Sequence, residues 1–553
     1  MKLSAIFVGM LAAAAVAFWI WAYRPVPTFE AFAYEPIAPD YWPTHGWRYS
    51  TPEAQGMSSG TLVEMMAFYE QARSDDPELY IDSITIIRNG YIVAEFYNNP
   101  LYPRDELHIL HSATKSIVAL LIGIAIDRGH IENVDVPVVE IFAERHIANL
   151  EARKRDLTIR DLLTMETGLH SRDSYLYGHE GLFELQHSDD WLQYALDLPM
   201  AAAPGERFDY SNISTFLLSA IIVETTGMDT LAFARRSLFR PLGIDEVKWE
   251  WNSDGYPFAW ARMWLNPNDM AKIGLLCLQH GRWDGRQIVP SDWIRESLQP
   301  RAYPKNVVDI LDPDMSHNRE ASTRNWVAQR FLRPFADGYG YQWWLDRRGH
   351  FAAMGTGGQF LLVAPDRNLI AVATSKSRGL AQFVPARLFE DYVVPAVESD
   401  HALPDDETAV AELLGLAEPA KPSSTARPVP ALPDVAIRVS GQTYETDANP
   451  FNTDNIRFVF DPDLDVARLR YTARETWDVA YEIGLDGVIR FTETNDSVFA
   501  AVGEWTSPDT FRVDVEIVGY STFDSWDFVF GDDIVDVHEH SITGTYRYRG
   551  RVR

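Results

Sequence analysis

Pro419, Pro422, Pro428, Pro430 and Pro433 crowd one short stretch. Proline fixes φ and removes a backbone donor, so neither a helix interior nor a central strand can run through such a stretch. Residues 418–434 therefore read as a stiff, partly extended linker that divides the 553-residue chain into two units. Beyond it, short β-prone runs alternate apolar with charged residues at 435–439, 456–460, 467–471, 511–517 and 544–549. A period of two marks strands that are wet on one face, so residues 435–553 are expected to form a small barrel or curved sheet.

Ahead of the linker the pattern is mixed. Residues 60–73 read as a helix, and Asn89-Gly90 between the runs 83–88 and 91–97 is a hairpin signal. Pro365-Asp366-Arg367-Asn368 separates two further apolar runs, 360–363 and 369–374, into a second hairpin. Together these strands make one antiparallel sheet from segments far apart in the chain, with the intervening helices as separate layers, an α/β architecture. At 46% hydrophobic and 12% aromatic residues the chain can bury a large core, and its length suggests two or three domains. A formal net charge of −30 argues against a nucleic-acid partner, whose phosphates need a basic face. The single cysteine, Cys277, has no partner for a disulfide and sits in the apolar run 273–278, where it reads as a small buried hydrophobe.

At the N-terminus, Lys2 precedes an uncharged run, residues 3–23, long enough to span a bilayer. Trp19, Trp21 and Tyr23 cluster at its outer end, where amphipathic rings favour the lipid–water interface, and Arg24-Pro25 stops the helix. Residues 1–27 are thus expected to be an uncleaved inner-membrane anchor, with a cleavable signal at Ala15-Val16-Ala17 as the alternative. Either places the body outside the cytoplasm, exported or periplasmic.

Three segments carry candidate chemistry. Ser112-Ala113-Thr114-Lys115 opens the apolar-periodic stretch 112–128 and sets a hydroxyl and an amine one turn apart at a helix N-terminus. That terminus favours an ionising Ser112 and disfavours a protonated Lys115. Tyr210-Ser211-Asn212 follows the turn Pro204-Gly205-Glu206-Arg207 and precedes a helical run, 215–226, so a phenol and an amide share a loop above a helix. Gly355-Thr356-Gly357-Gly358-Gln359 runs into a β-prone segment, where a glycine-rich strand lets a substrate backbone come close.

Ser112-x-x-Lys115, Tyr210-x-Asn212 and the Gly-rich strand, in that order, resemble the serine β-lactamase and penicillin-binding-protein superfamily, in its class C-like branch of esterases, D-aminopeptidases and amide hydrolases. The stretches 157–169 and 267–276 are also similar to ones common in that branch, and the likeness covers roughly residues 45 to 400. The resemblance implies a β-lactamase-like antiparallel sheet flanked by helices plus a helical subdomain over residues 28–417. It also implies a lipocalin-like barrel for residues 435–553. The third motif departs from the branch: Thr356-Gly357-Gly358 stands where relatives often carry Lys-Thr-Gly or His-x-Gly, so the cation that would meet a β-lactam carboxylate is missing.

On this resemblance, Ser112 attacks an ester or amide carbonyl and forms an acyl-enzyme. Lys115 or Tyr210, or both, take the proton: either a neutral Lys115 is the base, or a charged Lys115 holds Tyr210 as phenolate. Backbone N–H groups of Ser112 and of Gly358 or Gln359 would stabilise the oxyanion. Asn212 would orient Lys115, bind substrate or close its loop, and Thr356 and Gly357 would line the substrate site. Tyr175, Tyr177, Trp260, Arg262 and Trp264 are candidate pocket residues by position in the family, with Arg262 as a substitute anion contact. His108 and His111 flank the nucleophile and read as structural. Asp461-Pro462-Asp463-Leu464-Asp465 reads as a solvated turn and His538 with His540 as a surface pair, so no metal or organic cofactor is implied. The expected function is hydrolysis of a small ester, amide or peptide, with β-lactam hydrolysis or D-aminopeptidase activity as alternatives inside that class. A receptor that captures an acyl or peptidoglycan-like ligand without turnover is the alternative outside it. The sequence says nothing about oligomeric state.

Overall fold

A computed structural model describes residues 34–76, 78–173, 179–252, 254–304, 335, 337–417, 426–449, 453–461, 463–473, 477–494, 497–519, 523–541 and 544–553. The N-terminal apolar run, Tyr175 and Tyr177 lie outside these described residues. Among those that are described, no single helix is long and apolar enough to cross a bilayer.

The Asn89-Gly90 hairpin forms as read, from β1 (Ile81–Arg88) and β2 (Tyr91–Tyr97). Next in the chain come three short strands, β3 (His108–Ile109), β4 (Lys248–Trp249) and β5 (Met263–Leu265), which make a small sheet in the order β3-β5-β4. A minor hairpin follows, β6 (Arg282–Trp283) with β7 (Arg286–Gln287). Then β8 (Gly338–Tyr339), β9 (Trp344–Leu345), β10 (Phe351–Gly355), β11 (Gln359–Ala364) and β12 (Leu369–Ser375) complete a seven-stranded sheet in the order β2-β1-β12-β11-β10-β9-β8. Adjacent strands in it are antiparallel, and β1 pairs with β12 across most of the first unit's length in sequence.

Strands β1, β11 and β12 are buried on both faces, which is why β11 and β12 read as nearly continuous apolar runs, whereas β1 also buries Asp82, Ser83, Thr85 and Arg88. Leu361, Val363, Ile370 and Val372 face one core, shared with the helices Thr114–Asp127 and Asn212–Thr226. Phe360, Leu362, Ala371 and Ala373 face the other, under the helix Ser59–Asp75. The helix Thr114–Asp127 is buried all round from Thr114 to Ala125, so it is a core helix whose position is set by packing on every side. Cys277 is fully buried, as expected, and burial pushes its thiol up.

The C-terminal unit is all-β apart from its first segment. Its strands are β13 (Thr443–Thr446), β14 (Thr453–Val459), β15 (Val466–Ala473), β16 (Trp477–Gly484), β17 (Arg490–Glu493), β18 (Val498–Trp505), β19 (Thr510–Ile517), β20 (Phe523–Phe530), β21 (Ile534–Ser541) and β22 (Gly544–Val552). They follow the order β16-β15-β14-β13-β22-β21-β20-β19-β18-β17, and Gly484 of β16 pairs with Val502 of β18 to close a barrel. Phe458, Phe511, Phe528 and Phe530 fill its interior, with the Phe458 and Phe528 rings 4.8 Å apart. The run 435–439 is corrected by the structure: Asp434–Val439 is a helix. Its buried residues, Ala436 and Val439, are three apart, and Asp434 favours a helix's first turn, so a helical period was hidden in a run too short to display it. Asp463 N–H donates to Asp461 Oδ1 at 3.0 Å, the turn expected there.

Candidate active site

Ser112 lies in a 3₁₀ turn, His111–Ala113, that runs directly into the helix Thr114–Asp127. His111 takes a left-handed conformation, φ 46°, so the chain turns sharply just before the nucleophile candidate and leaves Ser112 half-buried. β10 presses on this turn from the sheet side. A Cβ on Gly355 would fall 2.2 Å from the Leu110 carbonyl oxygen, so only glycine lets the strand come this close.

One turn along the helix, Lys115 is buried with three neighbours. Its Nζ lies 2.9 Å from Ser112 Oγ, 2.8 Å from Asn212 Oδ1 and 2.9 Å from the Trp260 carbonyl oxygen. Burial pulls its pKa from 10.5 down to about 7, and the Asp173 carboxylate offsets part of that fall. The amine also sits 4.9 Å from the centre of the Tyr210 ring. That ring stacks on Trp344, with centroids 5.8 Å apart, and meets the edge of Tyr339. Three segments distant in sequence thus bring Ser112, Lys115, Tyr210 and Asn212 together.

Asn212 is held by Asp173, a residue that sequence reading missed. The fully buried carboxylate of Asp173 accepts from Asn212 Nδ2 and Ile213 N at 3.0 Å and from Ser211 Oγ at 3.2 Å, and also from Asn212 N. It therefore caps the helix Asn212–Thr226 and leaves the amide oxygen of Asn212 directed at Lys115. Nothing local marks Asp173 for this role, because its partners lie some forty residues downstream. The Trp260 carbonyl was equally invisible, since a backbone acceptor carries no side-chain signature.

The Gly-rich segment is a hairpin turn between β10 and β11 and not the lead into a single strand. Gly357 and Gly358 adopt φ 82° and 96°, and Gly358 N–H donates to Gly355 O at 3.2 Å to close the reversal. Thr356 is half-buried on this turn. The Gln359 side chain is fully buried and tied to Ser375 O, so it braces the strand and only its backbone remains a candidate for substrate contact.

The side chains of the other candidates have partners of their own. The Trp260 ring is 4% exposed and packs on Trp191 and Phe258 in the core. The Trp264 ring is buried, and its Nε1 donates to the Gly519 carbonyl at 2.8 Å. Arg262 pairs with Glu250 at 2.8 Å and lies over Phe258. His108 is buried with Nε2 3.0 Å from Asp82 Oδ2, and burial together with nearby His108, Arg262 and Lys115 drives the His111 pKa down to about 3. Both histidines flank the turn that carries Ser112, and His108 is held there by Asp82. His538 and His540 are half-buried on one face of β21, with His540 Nε2 3.8 Å from Asp527.

A half-buried hydroxyl against a buried amine of lowered pKa, set at the start of a core helix beside an antiparallel sheet, defines a serine-hydrolase type of site. The Beta-lactamase family profile matches residues 79–391, more than half the chain, and the protein belongs to that family, as a β-lactamase-related serine hydrolase. It is 24% identical over 317 residues to the 6-aminohexanoate-dimer hydrolase of Paenarthrobacter ureafaciens, covering 54% of this chain and 73% of that protein. It is 25% identical over 170 residues to the unguisins hydrolase ungD of Aspergillus violaceofuscus, 30% of each chain. Among solved structures, the simvastatin synthase (LovD) of Aspergillus terreus aligns with 61% of this chain and 99% of its own at 17% identity and a TM-score of 0.46. A penicillin-binding protein homologue from Pyrococcus abyssi aligns over 88% and 99% at 16% identity and a TM-score of 0.43.

Proposed function

We propose that the protein cleaves a small ester or amide through an acyl-enzyme on Ser112, with Lys115 as general base. The observation that carries this reading is the hydrogen-bond geometry at the amine. A neutral amine has two protons and one lone pair. Asn212 Oδ1 and the Trp260 carbonyl, at 2.8 and 2.9 Å, can only accept, so they take both protons. The lone pair then faces Ser112 Oγ at 2.9 Å, ready to receive its proton as the oxygen attacks the carbonyl carbon. A pKa of about 7 leaves this form populated at neutral pH.

Tyr210, beside the amine, is proposed to pass that proton to the leaving group. The N–H of Ser112 and that of Gln359 would face the developing oxyanion, each worth about 3 kcal/mol, because the Gly358 N–H is taken up by Gly355 O. Thr356 in place of a cation favours neutral esters and linear amides over β-lactams. The relative that hydrolyses a 6-aminohexanoate dimer makes a linear ω-amino amide a reasonable first amide to assay. A purified protein spanning residues 28–553 should turn over p-nitrophenyl butyrate continuously. A stoichiometric burst with no further turnover would favour the receptor reading instead. Residues 3–23 are proposed to anchor this unit to the membrane with the site on the extracytoplasmic side, which protease accessibility in intact spheroplasts would test.

A further inference from the structure

We infer that the C-terminal barrel braces the catalytic site through its supporting segments, with Glu516 and Gly519 positioning the short strand that leads into Ser112. The inference rests on Ser112 being the nucleophile.

β3 is only two residues long, and its companion β5 holds one edge through His108 opposite Leu265 and Ile109 opposite Trp264. A strand this short has little rigidity of its own, so what lies on its other edge decides how firmly the following turn is held. That edge belongs to the barrel. Ile109 N–H donates to the carbonyl of Gly519, just after β19, at 2.8 Å, and the same carbonyl accepts from Trp264 Nε1 at 2.8 Å. Gly519 N–H in turn donates to the hydroxyl of Tyr102 at 3.1 Å, and that hydroxyl donates to Ile517 O at 3.3 Å. Gly519 holds φ 87°, and a Cβ there would sit 3.2 Å from Leu107 O, so the contact is built around a glycine. Ile109 is three residues from Ser112, and Ala113 N–H donates back to Leu110 O, leaving no slack between them.

A second contact joins the barrel to the opposite side of the site. Glu516 of β19 is buried in an ion pair with Lys376, whose neighbour Ser377 donates its N–H to Gly357 O at 3.0 Å. Glu516 Oε1 also accepts from Asn99 Nδ2 at 3.3 Å, and Asn99 Nδ2 reaches Asp82 Oδ1 at 2.7 Å. Asp82 Oδ2 meets His108 Nε2 in β3 at 3.0 Å. One barrel carboxylate is therefore linked to both backbone segments that border the site, the Ser112 turn and the Gly357 turn. Ala500 of β18 packs on Leu101 and Tyr102 and seals the contact with apolar surface. Asp82, Asn99, His108, Lys376 and Glu516 are all buried, so this network has no bulk water to replace a lost partner.

The test uses the full chain carrying Tyr102→Phe, Trp264→Phe or Glu516→Gln. Each variant is assayed at a temperature where circular dichroism shows it folded. Two quantities are read: kcat and KM for p-nitrophenyl butyrate, and the second-order rate of fluorophosphonate labelling at Ser112. Expected for Tyr102→Phe and Glu516→Gln is a fall of about tenfold in both kcat and the labelling rate with KM changed by less than about threefold, and a smaller fall for Trp264→Phe, which leaves Gly519 O its second donor. Folded Tyr102→Phe and Glu516→Gln proteins with wild-type kcat and labelling rate would overturn the positioning role, even if their melting temperatures drop. A wild-type protein that does not label at Ser112 would overturn the nucleophile assignment itself, so the two failures are distinguishable.

Discussion

Lowering the pH through neutrality should switch the enzyme off by protonating Lys115. Burial takes this amine from 10.5 to about 7, which corresponds to about 5 kcal/mol of penalty on the charged form. Charging it would also remove the lone pair that faces Ser112 Oγ at 2.9 Å. The expected log(kcat/KM) is flat above about pH 8 and falls with unit slope below about pH 7, a loss of about 100-fold by about pH 5. p-Nitrophenyl butyrate hydrolysis, corrected for its own pH dependence, measures the first curve. Fluorophosphonate labelling rates, which report Ser112 alone, measure the second. Glu166 also titrates in this range, because burial pushes it up to about 7, so the curve is repeated with Glu166→Gln, which should keep the break. His111, held at about 3, stays neutral throughout. Lys115→Arg, which cannot deprotonate, should lose the acid limb along with about 10²- to 10⁴-fold of activity. A profile that is flat from about pH 5 to 9, or a break that disappears in Glu166→Gln, would refute Lys115 as the base.

Further outcomes follow from the same geometry. Asp173→Asn should move the acid limb to lower pH, because the lost negative charge no longer favours the ammonium, and should cost about 1 kcal/mol in urea unfolding as the helix cap weakens. Gly355→Ala places a Cβ 2.2 Å from Leu110 O, so kcat should fall about 100-fold in a protein whose circular dichroism is unchanged. His350 is pushed down by burial but raised overall to about 9 by Asp366, Glu390 and Asp346. A histidine raised above its unfolded value adds stability that is complete below about pH 6.5 and is lost as pH rises through about 9. The unfolding free energies of wild type and His350→Gln should therefore differ by up to about 3 kcal/mol near pH 6 and converge near pH 10.

Much of this was legible in the sequence for identifiable reasons. The hairpin at Asn89-Gly90 and the break at Pro365 are local turn chemistry, and the alternation in β14, β15, β19 and β22 reflects one wet face, so each announces itself within a few residues. Ser112 and Lys115 were legible because a helical turn sets their spacing, and Tyr210 with Asn212 because they open a helix. What stayed hidden depends on tertiary contact. Asp173 acts on Asn212 from across the fold, and Trp260 contributes a carbonyl and not its ring. The barrel's hold on Ile109 through Gly519 joins residues more than four hundred apart. The segment Asp434–Val439 misled because its valines, isoleucine and alanine, four of six residues, suit a strand as well as a single helical turn and a half.

Ser112 Oγ, activated by the amine beside it, is the atom proposed to become acylated. Intact-mass measurement of the fluorophosphonate-treated protein, followed by digestion, tests it most directly. A single adduct on the peptide containing Ser112, absent in Ser112→Ala and strongly slowed in Lys115→Arg, is the predicted result. An adduct on any other residue, or full labelling of Ser112→Ala, would contradict it.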